Sequence, residues 1–352
     1  MNEITIKQFV VGPGRPALIM VDAGVNHNNS IERGIQIIDA AADSGADVVK
    51  FQTYKAKSIT TRSAPRYWNS KLDTDTGGTQ FDTFSRLDGM GLEGYRALKA
   101  RCVERGVVFS STPFNLSDLD VLGEIGMDVY KISSSDITYI DLLKEVGRTM
   151  KPVIISTGCS SLGEVERAVD AVRSTGNSAI ILQHCILEYP CADSNANLAK
   201  MLKIQEVFRE IPVGYSDHTY GSIIPAAAVA LGARSIEKHF TIDQKLPDSP
   251  DHSFSANPVE LREMTDCIRR IEASIGTFVN GHYPAEEKAW KLARKSLVST
   301  CDIPKGTRIT REMLTCKRPG TGIYPEHLEF VVGATATADI PEDTTITLPM
   351  IR

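Results

Sequence analysis

Hydrophobic and polar positions repeat as one unit from residue 15 to residue 275. A short apolar or β-branched run leads into polar residues, and a stretch with helical spacing follows. The runs are ALIMVDAG (17–24), DVVKFQT (47–53), VVFSST (107–112), VYKISSS (129–135), VIISTG (153–158), AIILQHC (179–185), PVGYSDH (212–218) and SIEKHFT (235–241). The helical stretches carry recognisable ends. Ser30 is placed to N-cap a helix with Ile31, Ile35, Ile38 and Ala42 on one face and Gly45 at its end. Ser161 and Glu164 stand at capping-box spacing, and Gly176 closes that helix. Eight alternations over about 250 residues predict a closed (β/α)8 barrel, the TIM-barrel arrangement. The alternative, an open doubly wound sheet, normally carries a glycine-rich phosphate turn after its first strand, and no GxGxxG occurs there.

Two stretches depart from the repeat. The connection over 54–106 is long and includes TRSAPRYWNSKLDTDTGGTQFDTFSRL, rich in polar and aromatic residues. Connections of that length usually cover a functional site, so this one is expected at the catalytic mouth. After residue 276 the texture changes. The reading divides the chain into a barrel over 1–276, a linker with a short charged helix over 277–293, and a small β-rich domain over 294–352. That last region holds an internal echo, DIPKGTRIT (302–310) and DIPEDTTIT (339–347), expected to form two similar strand–turn units.

Composition adds mainly exclusions. The 352 residues are 42% hydrophobic and 24% charged, with net charge −5, which gives no bulk attraction to nucleic acid or an anionic membrane. No apolar run approaches the ~18–20 residues of a membrane span, and MNEITIKQFVVG lacks the apolar core of a signal peptide. Seven scattered cysteines without a CxxC suit reduced thiols, so a cytoplasmic location is expected.

Catalytic groups of such barrels collect at the C-terminal ends of the strands. Those ends carry Asp22, Asn26 and His27; Lys50 and Gln52; Ser111 and Thr112; Lys131, Ser134 and Asp136; Ser156 and Thr157; His184 and Glu188; Ser216, Asp217 and His218; and Glu237, Lys238 and His239. Lysines among hydroxyls suit a phosphate-bearing anion, although some lysines could instead pair with barrel carboxylates. His218 and His239 fall on neighbouring strands, and two imidazoles make an open site for a divalent metal able to polarise a carbonyl.

These stretches resemble the sialic acid (nonulosonic acid) synthase family, which uses phosphoenolpyruvate. The matching segments are GVNHN, VVKFQT, SSTPF, YKISSSD, ISTG, HC…YP, GYSDHT, EKHFT and PDSPDHSFS, in order over 22–255, with ARKSLV and KRPGTG in the tail. The resemblance implies a C-terminal antifreeze-like (SAF) domain and a domain-swapped homodimer. It implies that His218 and His239 hold manganese, with magnesium or cobalt as substitutes. It places Lys50, Thr112, Lys131, Ser134, Ser156 and Ser216 around phosphoenolpyruvate, with Gln52 beside them. Tyr189 and Asp251 then lie near an N-acetylated amino sugar, and Arg318 reaches the acyl group across the dimer. Asp22 and Asp136 stand where the best-known bacterial members have glutamates, the second assigned to proton handling, and Leu187 replaces a donor-contacting asparagine. The implied reaction joins the enol carbon of phosphoenolpyruvate to the aldehyde of an open-chain 2-acetamido sugar, with water entering and phosphate leaving. A related aldol synthase acting on a phosphorylated sugar and a non-catalytic carbohydrate-binding protein are the rival expectations.

Overall fold

The computed structural model describes residues 1–68, 78–247 and 249–352. Part of the 54–106 connection and Asp248 of PDSPDHSFS therefore lie outside the described residues. Two compact units are present, Met1–Gly276 and Thr277–Arg352.

In the first unit eight parallel strands close a barrel: β3 (Leu18–Gly24), β4 (Val48–Thr53), β5 (Val108–Pro113), β6 (Tyr130–Ile132), β7 (Val153–Ser156), β8 (Ile180–His184), β9 (Val213–Asp217) and β10 (Ser235–His239). Closure comes from β10 pairing with β3, which sets His239 beside Asp22. Each strand lies within its predicted run except β5, which extends one residue beyond its run to Pro113. A hairpin of β1 (Ile4–Ile6) and β2 (Phe9–Val11) precedes the barrel and was not anticipated. Its strands are three residues long, too short to show a period.

Strand side chains alternate between faces. Val21, Val49, Phe51, Ile132, Ile155, Tyr215 and Ile236 join one large core with helix residues such as Ile38, Leu98 and Val165. The alternate positions form a second core inside the barrel, where Leu18, Met20, Val48, Val108, Val129, Ile154 and Ile181 meet Ile4, Ile6 and Val11 of the hairpin. The hairpin thus plugs the N-terminal end. Two residues further along the same faces the interior turns polar.

Helix α1 (Ile31–Asp43) is N-capped by Ser30 as expected, but its buried stripe is Gly34, Ile37, Ile38 and Ala41. Ile31, Ile35 and Ala42 pack at the edge of that core. The rotation follows from close approach to helix α4 (Leu92–Glu104): a Cβ on Gly34 would sit 2.5 Å from Leu98 Cδ2. The glycine marks the contact that apolar spacing alone does not. The 54–106 connection carries α2 (Ala56–Ile59) and α3 (Gln80–Leu87) before α4, which is the barrel's own helix. The insertion proper is therefore 54–91. Further on, α7 (Leu162–Arg173) has the predicted Ser161–Glu164 capping box.

In the second unit, β11 (Ser296–Ser299) pairs antiparallel with β12 (Leu314–Lys317) after a short helix over Glu287–Ala293. The two echo segments meet as equivalents. Ile303 and Ile340 exchange backbone hydrogen bonds of 2.8 and 2.9 Å. Asp339 Oδ1 accepts from the Lys305 N–H at 2.7 Å, and Asp302 Oδ1 from the Glu342 N–H at 2.8 Å. The repeat thus builds a local two-fold around the core of Ile303, Ile309, Ile340 and Ile346.

Candidate active site

Side-chain alternation decides which strand-end residues meet. Asp22, Lys50, Gln52, Thr112, Lys131, Ser156, Ser216, Glu237 and His239 point inward, and with Ser134, Tyr189, His218 and Asp251 they line one cleft of about 1080 Å3 including its open mouth. Every sequence-predicted site residue lines it except Asp136 and Arg318. Asp136 is half-buried behind the lining, with its Oδ2 buried and unpartnered. Arg318 belongs to the second unit and is exposed there.

Other strand-end residues turn away from the cleft. Lys238 faces the helices, 2.5 Å from Asp217, and also donates to the Gly221 carbonyl at 3.1 Å. His184 Nε2 meets the Ala196 carbonyl at 3.0 Å, and Ser111 shares a hydrogen bond with Thr53. Glu188 is exposed and accepts from Asn195 at 2.9 Å. Asn26 ties the Phe240 carbonyl to Ser249. These are structural contacts.

At the cleft floor, charges alternate. Lys50 Nζ lies 2.6 Å from Asp22 Oδ2 and 3.6 Å from Glu237 Oε1, and Lys131 Nζ lies 2.8 Å from Glu237 Oε2 without hydrogen-bond alignment. All four side chains are 4% exposed. Burial alone would raise the Asp22 carboxyl, but the Lys50 charge, with help from His239 and Lys131, outweighs it and holds the group down at about 2. Lys50 is raised: burial opposes its charge, and Asp22 and Glu237 overcome that. Glu237 is thus the hub of the cations. The sequence places it only at a strand end, and its inward parity with His239 is the signal of a role.

Above the floor, the His218 and His239 rings lie 5.4 Å apart. Burial lowers both, His239 to about 3 despite the neighbouring Asp22 carboxylate, so both are neutral imidazoles at neutral pH. His218 Nδ1 is 2.6 Å from the Ile186 carbonyl, which fixes the proton there and leaves Nε2 as the lone-pair nitrogen. His239 Nδ1 is buried without a hydrogen-bond partner, and its Nε2 is 3.5 Å from Asp22. Among the described residues no three His, Cys, Asp or Glu side chains converge into a ready cage. A metal held by His218 and His239 would have two imidazole ligands and an open side. The Tyr189 ring lies 4.2 Å from that of His218, tilted by 36°, and Phe254 lies 5.0 Å from His239, so the pair is walled from solvent.

The Ser134 hydroxyl accepts the Gly158 N–H at 2.9 Å and contacts Cys185 Sγ at 3.0 Å. Any side chain on Gly158 would collide with Leu187 and Cys185, so the strand-end glycine permits this packing. Asp136 is pushed up to about 7 by burial and then by Asp118, which makes it a proton holder near neutrality. Tyr54, Tyr67, Trp68 and Phe84 of the insertion also line the cleft. No individual role for them was legible, although the insertion's aromatic density signalled its placement.

A barrel mouth that gathers two buried lysines and two neutral imidazoles in one cleft has the makings of an enzyme site. The chain belongs to the NeuB family, whose model matches residues 37–280, and it carries a SAF domain over 294–352. It is thus a member of the nonulosonic acid synthases, transferases that form a carbon–carbon bond. It is 38% identical to the N,N'-diacetyllegionaminic acid synthase of Campylobacter jejuni, over 94% of this chain and 99% of that one. Identity to the Legionella pneumophila protein of the same name is 35%, over 95% and 94%. Among solved structures it resembles the N-acetylneuraminic acid synthetase of Leptospira borgpetersenii in complex with citrate. That match has a TM-score of 0.71 and 32% identity, over 82% of this chain and 95% of that one. No helix among the described residues is long and apolar enough to cross a membrane.

Proposed function

We propose that this synthase condenses phosphoenolpyruvate with an open-chain 2-acetamido sugar and water. The acceptor is N-acetylmannosamine or a 2,4-diacetamido-trideoxy hexose, and the products are N-acetylneuraminate or a legionaminate-type acid plus phosphate. The observation that carries the reading is the Lys50–Glu237–Lys131 array directly below the neutral His218–His239 pair. Lys50 and Lys131, with Thr112, Ser134, Ser156 and Ser216, bind the donor's phosphate and carboxylate. Their burial keeps competing water away and strengthens each charge-assisted contact. Gln52, Tyr189 and Asp251 orient the sugar. His218 and His239 would hold manganese, with magnesium or cobalt able to substitute, and the bound metal supplies Lewis acidity toward the acceptor's carbonyl. Asp22 stays ionised and orients Lys50 and His239. Asp136 holds or releases a proton near neutral pH and reaches the reacting atoms through an intervening group. The work of the site is positioning two substrates and one water in a fixed field.

Lys50 and Lys131 are the only Lys or Arg side chains lining the cleft among the described residues, which disfavours an acceptor carrying its own phosphate. We further infer a homodimer in which Arg318 of one copy serves the acceptor's acyl group in the other. The exposure of Arg318 in its own unit and the resemblance support this. Mixing Arg318→Ala with His239→Ala chains under subunit exchange should restore activity, and no recovery after proven exchange defeats the swapped arrangement.

The reaction itself is tested by phosphate release. It should require both phosphoenolpyruvate and an acetamido sugar, stop with a chelator, resume with manganese, and yield a product whose mass is that of donor, sugar and one water less phosphoric acid. Release that ignores the sugar overturns the reading.

A further inference from the structure

The 54–91 insertion brings one polar group into an apolar corner of the cleft. The Tyr54 hydroxyl is buried and has no hydrogen-bond partner. Its ring packs edge-on against Phe84 at 5.5 Å and Phe114 at 5.8 Å. Val25, Ile59 and Leu87 complete the corner, and all six side chains line the cleft. Burial holds the Tyr54 hydroxyl well above the usual phenol range, so it stays protonated and is a standing donor. An unpaired buried hydroxyl is costly, and a ligand acceptor offsets that cost.

The corner is separate from the reacting end. The rings that flank His218 and His239 are Tyr189 and Phe254, and neither Phe84 nor Phe114 is among them. It is joined to that end by a run of rings, with centroid steps from Tyr189 to Tyr67 of 6.4 Å, Tyr67 to Trp68 of 5.3 Å and Trp68 to Phe84 of 5.9 Å. A sugar hydroxyl placed in the corner would bury a donor among apolar walls. A bare methyl group would leave the tyrosine unpaired. An acylamino group satisfies both demands, with its carbonyl oxygen on the hydroxyl and its methyl against the rings.

We propose that Tyr54 and its apolar neighbours form a subsite for an acylamino group of the acceptor beyond its C2 carbon. The inference rests on the synthase reading above and selects the diacylated acceptor within it.

The test compares two 2-acetamido-6-deoxy hexoses that differ only at C4, one with acetamido and one with hydroxyl, by phosphate release. The wild-type enzyme should favour the acetamido sugar in kcat/KM by about tenfold or more. Tyr54→Phe should shrink that ratio about fivefold or more. It should not lower the thermal midpoint, because it removes an unpaired buried hydroxyl. Phe84→Ala should shrink the same ratio through lost contact with the methyl group. Equal losses on both sugars, a wild-type preference for the hydroxyl sugar, or a lowered midpoint for Tyr54→Phe would each overturn the subsite while leaving the synthase reading intact. Turnover of neither sugar while N-acetylmannosamine is turned over overturns the subsite alone, and turnover of none of the three defeats that reading and the subsite with it.

Discussion

The two halves of the barrel interior are built by the same faces of the same strands, yet they do opposite work. On β7, Ile154 points into the lower core and Ser156, two residues on, into the cleft. On β4, Val48 and Lys50 divide the same way, as do Val129 and Lys131 around β6. The lower half is apolar, plugged by Ile4, Ile6 and Val11. It supplies transfer free energy of roughly 25 cal/mol per Å2 buried. The upper half buries charges that must be balanced among themselves, so its stability contribution is small or negative and its value lies in the field it fixes. One pleat repeat, about 7 Å along a strand, separates a position that holds the fold from one that holds a substrate.

The sharpest way to break that comparison is at the imidazole pair. His239→Ala should lower kcat about 10³-fold or more, the several kcal/mol a Lewis acid supplies, while the circular dichroism spectrum keeps its barrel form. Retained turnover in metal-stripped protein would show that the upper half does not work this way.

Removing the hub should cost stability instead. Glu237→Ala leaves Lys131 without its buried counter-charge and should destabilise by about 3–5 kcal/mol in chemical denaturation. A neutral outcome would mean that the upper half is not self-balanced.

A matched pair on β7 sharpens the contrast. Ile154→Ala should cost about 2–5 kcal/mol with little change in the donor's KM. Ser156→Ala should raise that KM and shift stability by about 1 kcal/mol or less. If both variants moved both readouts alike, the interior would not divide where the structure divides it.

The smallest effect is a pH slope. The Asp136 carboxyl, raised to about 7, stays protonated in the folded chain while the unfolded chain loses its proton near ~3.9. The unfolded state then binds fewer protons between those values, so this group makes stability fall as pH rises from about 4 to about 7. Asp136→Asn should flatten that fall and be the more stable chain at pH 8. An unchanged slope would remove Asp136 as a proton holder.

Much of this was legible beforehand because strands and helices have fixed periods. All eight barrel runs, the Ser30 and Ser161 caps and the inward residues of the cleft follow from local pattern. The same period carried a signal for which strand-end groups turn away, although the strand-end reading did not separate them. Lys238 alternates with Glu237 and His239, and Asp217 with Ser216 and His218, so parity alone separates the structural pair from the site. The burial stripe of α1 was less legible because a contact with a neighbouring helix, Gly34 against Leu98, rotated it away from the most apolar face. The hairpin was hidden by its brevity.

By itself, then, the chain's pattern determined the barrel, the following small domain with its paired DIP segments, and the list of groups brought to the strand ends. These depend on hydrogen-bonding periods and turn chemistry that act over a few residues. Only the tertiary structure decided how those groups share charge and space. Lys50 belongs to Asp22 and Glu237, Lys131 belongs to Glu237, the two imidazoles are neutral, and Tyr54 has an unpaired hydroxyl. Each of these facts depends on distances between residues far apart in sequence and on the burial that closing the barrel creates. Coulomb energy and desolvation act through space, and the order of residues along the chain carries neither.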